Sequence, residues 1–389
     1  MKAIIKIYQV TLLFMVLWGA HAWFTWILDE FSFLGYVFMG LFLVVSLIYK
    51  QSNNVKIPNS DSFTAAIILF ILALLFIIGD IKDIPKDIVL YTPLFILLAD
   101  EEHNEEHLEF VSKALGWLII LGAVPYILRS YSLINLPSTP IFYYNDVKGG
   151  YVFDNYFLFI VNTYLNTESP RFCSIFLEPG YLGTLSAFLL YLNRYNMNKI
   201  YNVFILVGVL MSLSLAGYII LLLGYLFHVI NDKKKLWLVL LTLLVSYSIF
   251  SIAPIINNGE NYINTEIVER LAADEEKGIA GNDRFHGQTD ALYDDILWSI
   301  DFLFGVSKSV LQTKDVSGAG YKIFIIQHGL IPFVLFILFY FKIASLSIDR
   351  KRAYYAVILL FFIFLQATTP ESYRWLIPFG LYVQSKQIV

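Results

Sequence analysis

Long apolar runs separated by short polar stretches dominate the chain. A helix needs about 20 mostly apolar residues to cross a bilayer, and runs near that length recur from one end of the sequence to the other. They fall at roughly 8–28, 31–49, 63–79, 84–99, 110–128, 174–193, 200–215, 217–231, 236–254, 320–341, 353–368 and 374–384. The pattern predicts an all-α polytopic membrane protein with about 12 transmembrane helices. The run interrupted by Pro93 and the last run are the shortest.

Two stretches lack apolar runs of this length and are expected to be long loops. The first, 129–171, is rich in aromatic residues, and its segment 151–165 is apolar enough to lie at the membrane interface. The second, 255–319, is the only loop large enough for a soluble lobe. There Thr289 is expected to cap a helix from Asp290 to Ile300, with Leu292, Ile296 and Ile300 on one face. We expect a single membrane domain, 1–389, with both loops on one side.

Basic residues predict the orientation of the chain. Short cytoplasmic loops carry an excess of Lys and Arg. If the N-terminus is cytoplasmic, only Lys82, Lys86 and Arg374 lie in short outer loops, and most other short-loop basic residues lie inside. The distribution therefore places both termini in the cytoplasm and both long loops on the outer face.

Composition removes several classes of function. The 389 residues are 58% hydrophobic and 15% charged, with a mean hydropathy of +0.66. A soluble domain of this length would not cover that much apolar surface. No basic stripe indicates nucleic-acid binding, and no glycine loop or nucleotide fold indicates ATP or a sugar nucleotide. The single cysteine, Cys173, excludes an internal disulfide.

The acidic run 100–109 raises the question of a metal site. His103 and His107 are four residues apart, so a helix would put both on one face, as a metal pair requires. The zincin pattern needs a glutamate directly after the first histidine, and Asn104 stands there. A solvated helix start is the simpler interpretation, and we expect no metal and no cofactor.

The most informative stretch is Arg171-Phe-Cys-Ser-Ile-Phe-Leu-Glu178-Pro179-Gly180, where a loop becomes the sixth span. Pro179 fits the first turn of a helix that begins there. Ionisable groups at the mouth of a span cost free energy, so a functional role for Arg171 and Glu178 is the default. The alternative is an interface anchor, with the arginine reaching headgroups and the glutamate at the helix N-terminus.

Two more outer segments hold candidates. Glycines at both ends of 281–287 predict a turn that presents Arg284 and His286, although loop charges are commonly just solvated. The last outer turn, 368–375, places Glu371 and Arg374 at the same aqueous face. An ion pair within a helix is the simplest interpretation of that spacing.

These motifs resemble a known family. The segment Ile175-Phe-Leu-Glu178-Pro179-Gly180 is similar to the central motif of the bacterial O-antigen polymerase and O-antigen ligase superfamily. The segments 302–307 (Phe-Leu-Phe-Gly-Val-Ser) and 320–332 resemble the end of that family's large outer loop and the helix after it. Where many relatives have Ser-Arg-Gly, this chain has Ser214-Leu-Ala-Gly217. Ligases carry a histidine where Ser317-Gly-Ala-Gly320 stands, and His328 lies deeper, so the polymerase branch is favoured.

The resemblance implies a GT-C-like glycosyltransferase of the bacterial inner membrane. Such enzymes transfer a glycan from an undecaprenyl diphosphate donor to a second lipid-linked repeat unit, producing O-antigen or capsular polysaccharide. Arg171 and Arg284 would neutralise the diphosphate, and Glu178 would be the base, since burial raises the pKa of a carboxyl group. Expected substrate-binding residues are His286, Arg374, Tyr181 and Tyr321. Expected partners are undecaprenyl-diphosphate-linked glycans, membrane lipid and a chain-length regulator protein, and no nucleic acid.

Other functions remain open on the sequence. The protein could be an O-antigen ligase, a transporter or flippase of lipid-linked sugars, or an accessory subunit without chemistry. Transporters place ionisable residues near mid-membrane and show internal repeats. The apolar runs carry few charges and the two halves do not match, which favours the enzyme.

Overall fold

The computed structural model describes residues 2–30, 32–58, 60–77, 84–100, 102–145, 149–163, 171–230, 251–261, 264–271, 287–306, 320–366 and 369–383, with isolated positions at 237, 244, 247–248, 273–274 and 278–279. The chain is mostly helical. Its helices are, in chain order, α1 (Lys2–Gly19), α2 (Trp26–Glu30), α3 (Ser32–Ser52), α4 (Asp61–Ile77), α5 (Ile84–Ala99), α6 (Asn104–Ser130), α7 (Pro179–Leu192), α8 (Ile200–Met211), α9 (Leu215–Val229), α10 (Gly287–Ile296), α11 (Ile300–Phe304), α12 (Gly320–His328), α13 (Leu330–Ala344), α14 (Arg350–Phe364) and α15 (Tyr373–Val383).

Three of these helices are long and apolar enough to cross a membrane: α1, α3 from Phe33, and α6. A fourth span is possible if α12 and α13 count as one, but they meet at an angle of 116°. The expected span 320–341 is therefore broken, because Gly329 between the two helices has a φ of 91°, a conformation that favours glycine. Shorter apolar helices, α4, α7, α8 and α9, accompany them. This composition indicates association with a membrane.

The expected apolar runs mostly coincide with helices, with local differences. Pro93 lies inside α5 without ending it. The run 174–193 becomes helical only at Pro179. More than half of the run 236–254 lies outside the described residues.

The first long loop forms a small antiparallel sheet, so the expectation of an all-α protein is wrong there. Its strands are β1 (Thr139–Asn145), β2 (Gly149–Asn155) and β3 (Ile160–Asn162), in the order β1-β2-β3. The physical reason is that these strands are rich in aromatic and β-branched residues, which favour strands over helices. Alternate side chains of a strand point to opposite faces. Tyr143, Phe153 and Ile160 pack with Trp26 and Cys173 on one face, whereas Phe142 is exposed.

The second long loop is only partly described. A helix is present near Thr289, but it runs from Gly287 to Ile296. Leu292 and Ile296 are buried as expected. Ile300 is 71% exposed and does not share their face, because the chain turns at Trp298 (φ 67°) before α11 begins.

Helix directions define two ends of the bundle. At the Arg171 end, α1 and α8 finish and α7 and α15 start, near Gly19, Met211, Pro179 and Tyr373. At the opposite Tyr49 end, Tyr8 of α1 stacks on Tyr49 of α3 with ring centroids 4.0 Å apart. Helix α7 runs from one end to the other, and Asn193 after it donates to Ser112 of α6 at 2.8 Å.

The Tyr49 end contains a buried polar network instead of the solvated helix start expected for the acidic run. Asp100, Asn104 and His107 are all buried, because α1, α3 and α5 cover them. Tyr49 donates to the Asp100 carboxylate, and its hydroxyl oxygen lies 2.9 Å from Nε2 of His107. Nδ1 of His107 lies 3.2 Å from Nε2 of Gln9. These contacts join the four helix ends, since buried polar groups require hydrogen-bond partners.

Close packing of α7 against α9 fixes the start of α7. A Cβ atom added to Gly217 would lie 2.9 Å from the backbone of Gly183, and one added to Gly183 would lie 2.7 Å from Oγ of Ser212. Small residues allow this approach, as they do between membrane helices generally.

We expect Gly217→Val to lower the free energy of unfolding by about 1–3 kcal/mol, the usual cost of overpacking. The matched control is Gly40→Val on α3, where an added Cβ would meet nothing within 4 Å. Thermal unfolding of both variants in detergent measures the difference. Equal stability of the two variants would contradict the close contact between α7 and α9.

Candidate functional site

The segment before α7 is non-helical, with a turn at Ser174 (φ 51°), and its residues 172–176 are buried. Its backbone groups bond to three surrounding parts of the chain, since buried peptide groups must be satisfied. Phe172 N donates to Met211 O of α8 at 3.2 Å, and Ser174 O accepts from Ile160 N of β3 at 2.9 Å. On the other side, Ile175 O accepts from Trp23 N at 2.9 Å, and Leu177 N donates to His21 O at 3.1 Å. The segment Arg171–Glu178 is therefore held by the end of α8, the sheet and the turn after α1.

Helix α7 begins where the sequence predicted, with Pro179 in its first turn. Glu178 precedes it with extended backbone angles (φ −136°, ψ 147°) and makes no side-chain cap hydrogen bond. The Glu178 side chain therefore does not cap α7, although the residue stands at the N-terminus of that helix. A Cβ atom added to Gly180 would meet nothing within 4 Å, so there is open space beside this turn.

Arg171 reaches the turn between α8 and α9. Its Nε donates to Ser212 O at 3.4 Å. Ser214 in the same turn caps α9 by accepting from Gly217 N at 3.2 Å. Arg171 therefore places a guanidinium group beside the turn between α8 and α9.

Arg374 and Tyr181, both expected substrate-binding residues, are in contact. The guanidinium carbon of Arg374 lies 4.5 Å from the ring centroid of Tyr181 and 4.4 Å from that of Trp375. Arg374 is only 2% exposed. The His21 ring also stacks on the Tyr181 ring, with the two centroids 5.5 Å apart. Because Tyr181 lies one turn after Glu178, the Arg374 cation is at the start of α7.

The turn before α15 is tied to neighbouring helices. Ser372 Oγ donates to Gly19 O of α1 at 3.2 Å, and the Tyr340 hydroxyl of α13 donates to Pro370 O at 2.7 Å. Glu371 lies in this turn and not in α15, so the expected pair within one helix is wrong. Oε2 of Glu371 is buried and has no hydrogen-bond partner among the described residues. Burial raises the pKa of Glu371 to about 7, although the nearby Arg374 charge acts in the opposite direction.

The other predicted site residues lie in the second long loop and in α12. Arg284 and His286 lie outside the described residues, as does Ser317-Gly-Ala. Tyr321 of α12 packs edge-on against Tyr293 of α10, with centroids 6.0 Å apart. Its neighbour Lys322 donates to Asp290 at 2.5 Å.

The segments 302–307 and 320–332, which carry the other two sequence motifs, contact one another. Val306 N donates to Ile326 O of α12 at 2.8 Å. Gly305 has a φ of 85°, and a Cβ atom there would lie 2.6 Å from Gln327 O. The end of the large loop is therefore fixed against the helix that follows it.

Two residues of the site were missed or misjudged from the sequence. His21 follows α1 in a left-handed conformation (φ 52°), and only the tertiary structure brings it to Tyr181. For Glu371 the available sequence signal is a charged residue beside Pro370 at the start of a short apolar run. That signal marks the residue as a candidate but does not predict the burial that raises its pKa.

The site offers no evident metal or thiol chemistry. Within the described ranges, no group of three or more His, Cys, Asp and Glu side chains is arranged to hold a metal ion. Burial raises the pKa of the Cys173 thiol to about 12, and Sγ donates to Ile160 O at 3.1 Å. The thiolate is the reactive form, so Cys173 is a packing residue.

Comparisons with protein-family models, curated proteins and solved structures found no match. The family resemblance therefore stays a prediction from the three sequence motifs.

The pKa of Glu371 predicts a pH dependence of stability. Between pH about 4.5 and about 7 the folded protein keeps this carboxyl protonated while the unfolded chain loses the proton. The folded state then binds more protons, so stability falls as the pH rises through this window. We expect the unfolding temperature to fall over this range and Glu371→Gln to reduce that fall. An unchanged slope in the variant would show that Glu371 is not buried as described.

Proposed function

We propose that the protein is a membrane glycosyltransferase that polymerises undecaprenyl-diphosphate-linked oligosaccharide repeat units into O-antigen or capsular polysaccharide. The observation that carries this proposal is the contact of the buried Arg374 guanidinium with Tyr181, at the helix start that holds Glu178 and follows Arg171. A cation, a carboxyl group and an aromatic ring at one helix start match what a diphosphate-linked sugar donor requires.

Two arginines are placed where they could bind the diphosphate of the donor. Arginine stays charged when buried and binds phosphate oxygens with two parallel N–H groups. Arg171 at the α8–α9 turn and Arg374 at the start of α15 would neutralise the charge that grows on the leaving diphosphate. The family resemblance adds Arg284, with His286 and Tyr321 as contacts to the sugar units. Tyr181 and His21 offer ring faces at the same place.

Two carboxyl groups are available to accept the proton of the acceptor hydroxyl. Glu178 is the proposed base, because its side chain is not used to cap α7. Glu371 is the second candidate, because a pKa of about 7 suits proton transfer at neutral pH. No metal is required if arginines carry the charge.

The membrane arrangement is part of the proposal. We propose about 12 spans in a GT-C-like fold, with both termini cytoplasmic and the Arg171 end facing away from the cytoplasm of a bacterium. A chain-length regulator protein is a proposed partner.

We expect purified protein to extend synthetic lipid-diphosphate repeat units. Arg171→Lys should reduce the rate at least about tenfold, because an ammonium cannot bind two phosphate oxygens in parallel. Glu178→Gln should reduce it about 10²–10⁴-fold as loss of a general base. The matched control is Arg129→Lys, since Arg129 Nε bonds to the Tyr156 hydroxyl in the sheet loop at 2.7 Å.

The products of this assay distinguish the alternatives. Chain growth supports a polymerase, transfer to lipid A core indicates a ligase, and lipid movement without turnover indicates a transporter. Full activity in both Arg171→Lys and Glu178→Gln would contradict the proposed site.

A further inference from the structure

Two arginines meet at the far end of α7, away from the site described above. Arg194 follows the helix, and Arg352 lies in the first turn of α14. Both contact one carbonyl group: Tyr191 O accepts from Arg194 N at 2.9 Å and from Nη2 of Arg352 at 3.1 Å. The Arg352 guanidinium carbon also lies 5.1 Å from the ring centroid of Tyr191. The two residues are thus neighbours although they are far apart in sequence.

Each of these arginines keeps an unused donor. Nε of Arg194 and Nε of Arg352 are buried, and neither has a hydrogen-bond partner among the described residues. No ion pair within the described ranges includes either side chain. Asp349 is occupied in capping α14, where it accepts from the backbone N–H of Arg352 at 3.2 Å. Buried polar atoms without partners are uncommon, and an unseen ion or ligand is one explanation of them.

A purely structural role explains part of this arrangement. Basic side chains stabilise the C-terminal end of a helix, where carbonyl groups are unpaired. Arg352 does this through Nη2, but the contact leaves its Nε unused. Arg194 contributes only its backbone N–H, and its residue is held in a left-handed conformation (φ 57°) that few non-glycine residues adopt. Helix capping therefore does not account for the buried, unpartnered Nε atoms of these two arginines.

We propose that Arg194 and Arg352 form a phosphate-binding site, and that its occupant is the headgroup phosphate of an anionic phospholipid. Guanidinium groups bind phosphate oxygens in pairs, and basic pockets between membrane helices on the cytoplasmic side bind anionic headgroups. The Tyr49 end, where α7 finishes, is the end that the Lys and Arg distribution places in the cytoplasm. Tyr191 and Tyr195 lie beside the arginines, with their ring centroids 6.5 Å apart. The site is independent of the proposed glycosyltransferase.

The experiment measures the unfolding temperature of the full-length protein in detergent micelles. One sample receives phosphatidylglycerol, one phosphatidylcholine and one inorganic phosphate. A ligand bound only by the folded state stabilises it by mass action, so we expect phosphatidylglycerol to raise the temperature by about 2–5 °C over phosphatidylcholine. Inorganic phosphate should have little effect at millimolar concentration. A shift with inorganic phosphate and none with phosphatidylglycerol would overturn the lipid assignment.

Variants test the residues. Arg194→Gln combined with Arg352→Gln should abolish the shift, whereas the control Lys113→Gln, which removes an exposed charge on α6, should keep it. If the double variant does not fold, Arg194→Gln alone leaves the Arg352–Tyr191 contact in place and should lose at least half of the shift. A full shift in the arginine variants, or no shift with the unmodified protein, would overturn the proposal.

Discussion

The backbone of the non-helical segment 171–178 before α7 is the constraint on which the rest of the Arg171 end depends. Peptide groups buried among apolar helices must find partners, and a segment outside a helix cannot supply its own. Here the partners come from the end of α8, from β3 and from the turn after α1. These bonds fix both ends of the segment, and Arg171 and Glu178 stand at those ends. A non-helical backbone at this position is tolerated because protein surrounds it on three sides.

The same arrangement of helices buries the charged group of Arg374 and the carboxyl group of Glu371. Arg374 is 2% exposed, and a buried guanidinium needs compensation from its surroundings. Two aromatic ring faces supply part of it, since cations are attracted to the ring face. The Arg374 charge lowers the pKa of Glu371, but burial outweighs this effect and raises the pKa to about 7. The turn before α15 therefore places a carboxyl group with a pKa of about 7 near the Arg374 cation, which contacts Tyr181 at the start of α7.

Sequence patterns were reliable wherever the determining interactions are local. Pro179 marked the start of α7, and the apolar runs marked most helices, because both depend on residues close in sequence. The aromatic and β-branched residues around Tyr143 are the local signal for a strand, but a continuous apolar run of this kind also fits a segment at the membrane interface. The contact between Arg374 and Tyr181 could not be predicted, because it depends on the packing of α15 against α1 and α7. For the same reason, the burial of His107 beneath three helix ends was missed.

The most direct test of the proposed site is a cryo-electron microscopy map of the protein with undecaprenyl diphosphate bound in a lipid nanodisc. The account predicts diphosphate density at the start of α7, within hydrogen-bond distance of the guanidinium of Arg171 or Arg374 and beside the Tyr181 ring. Density for the diphosphate at the Tyr49 end, or none near either arginine at a saturating ligand concentration, would contradict it.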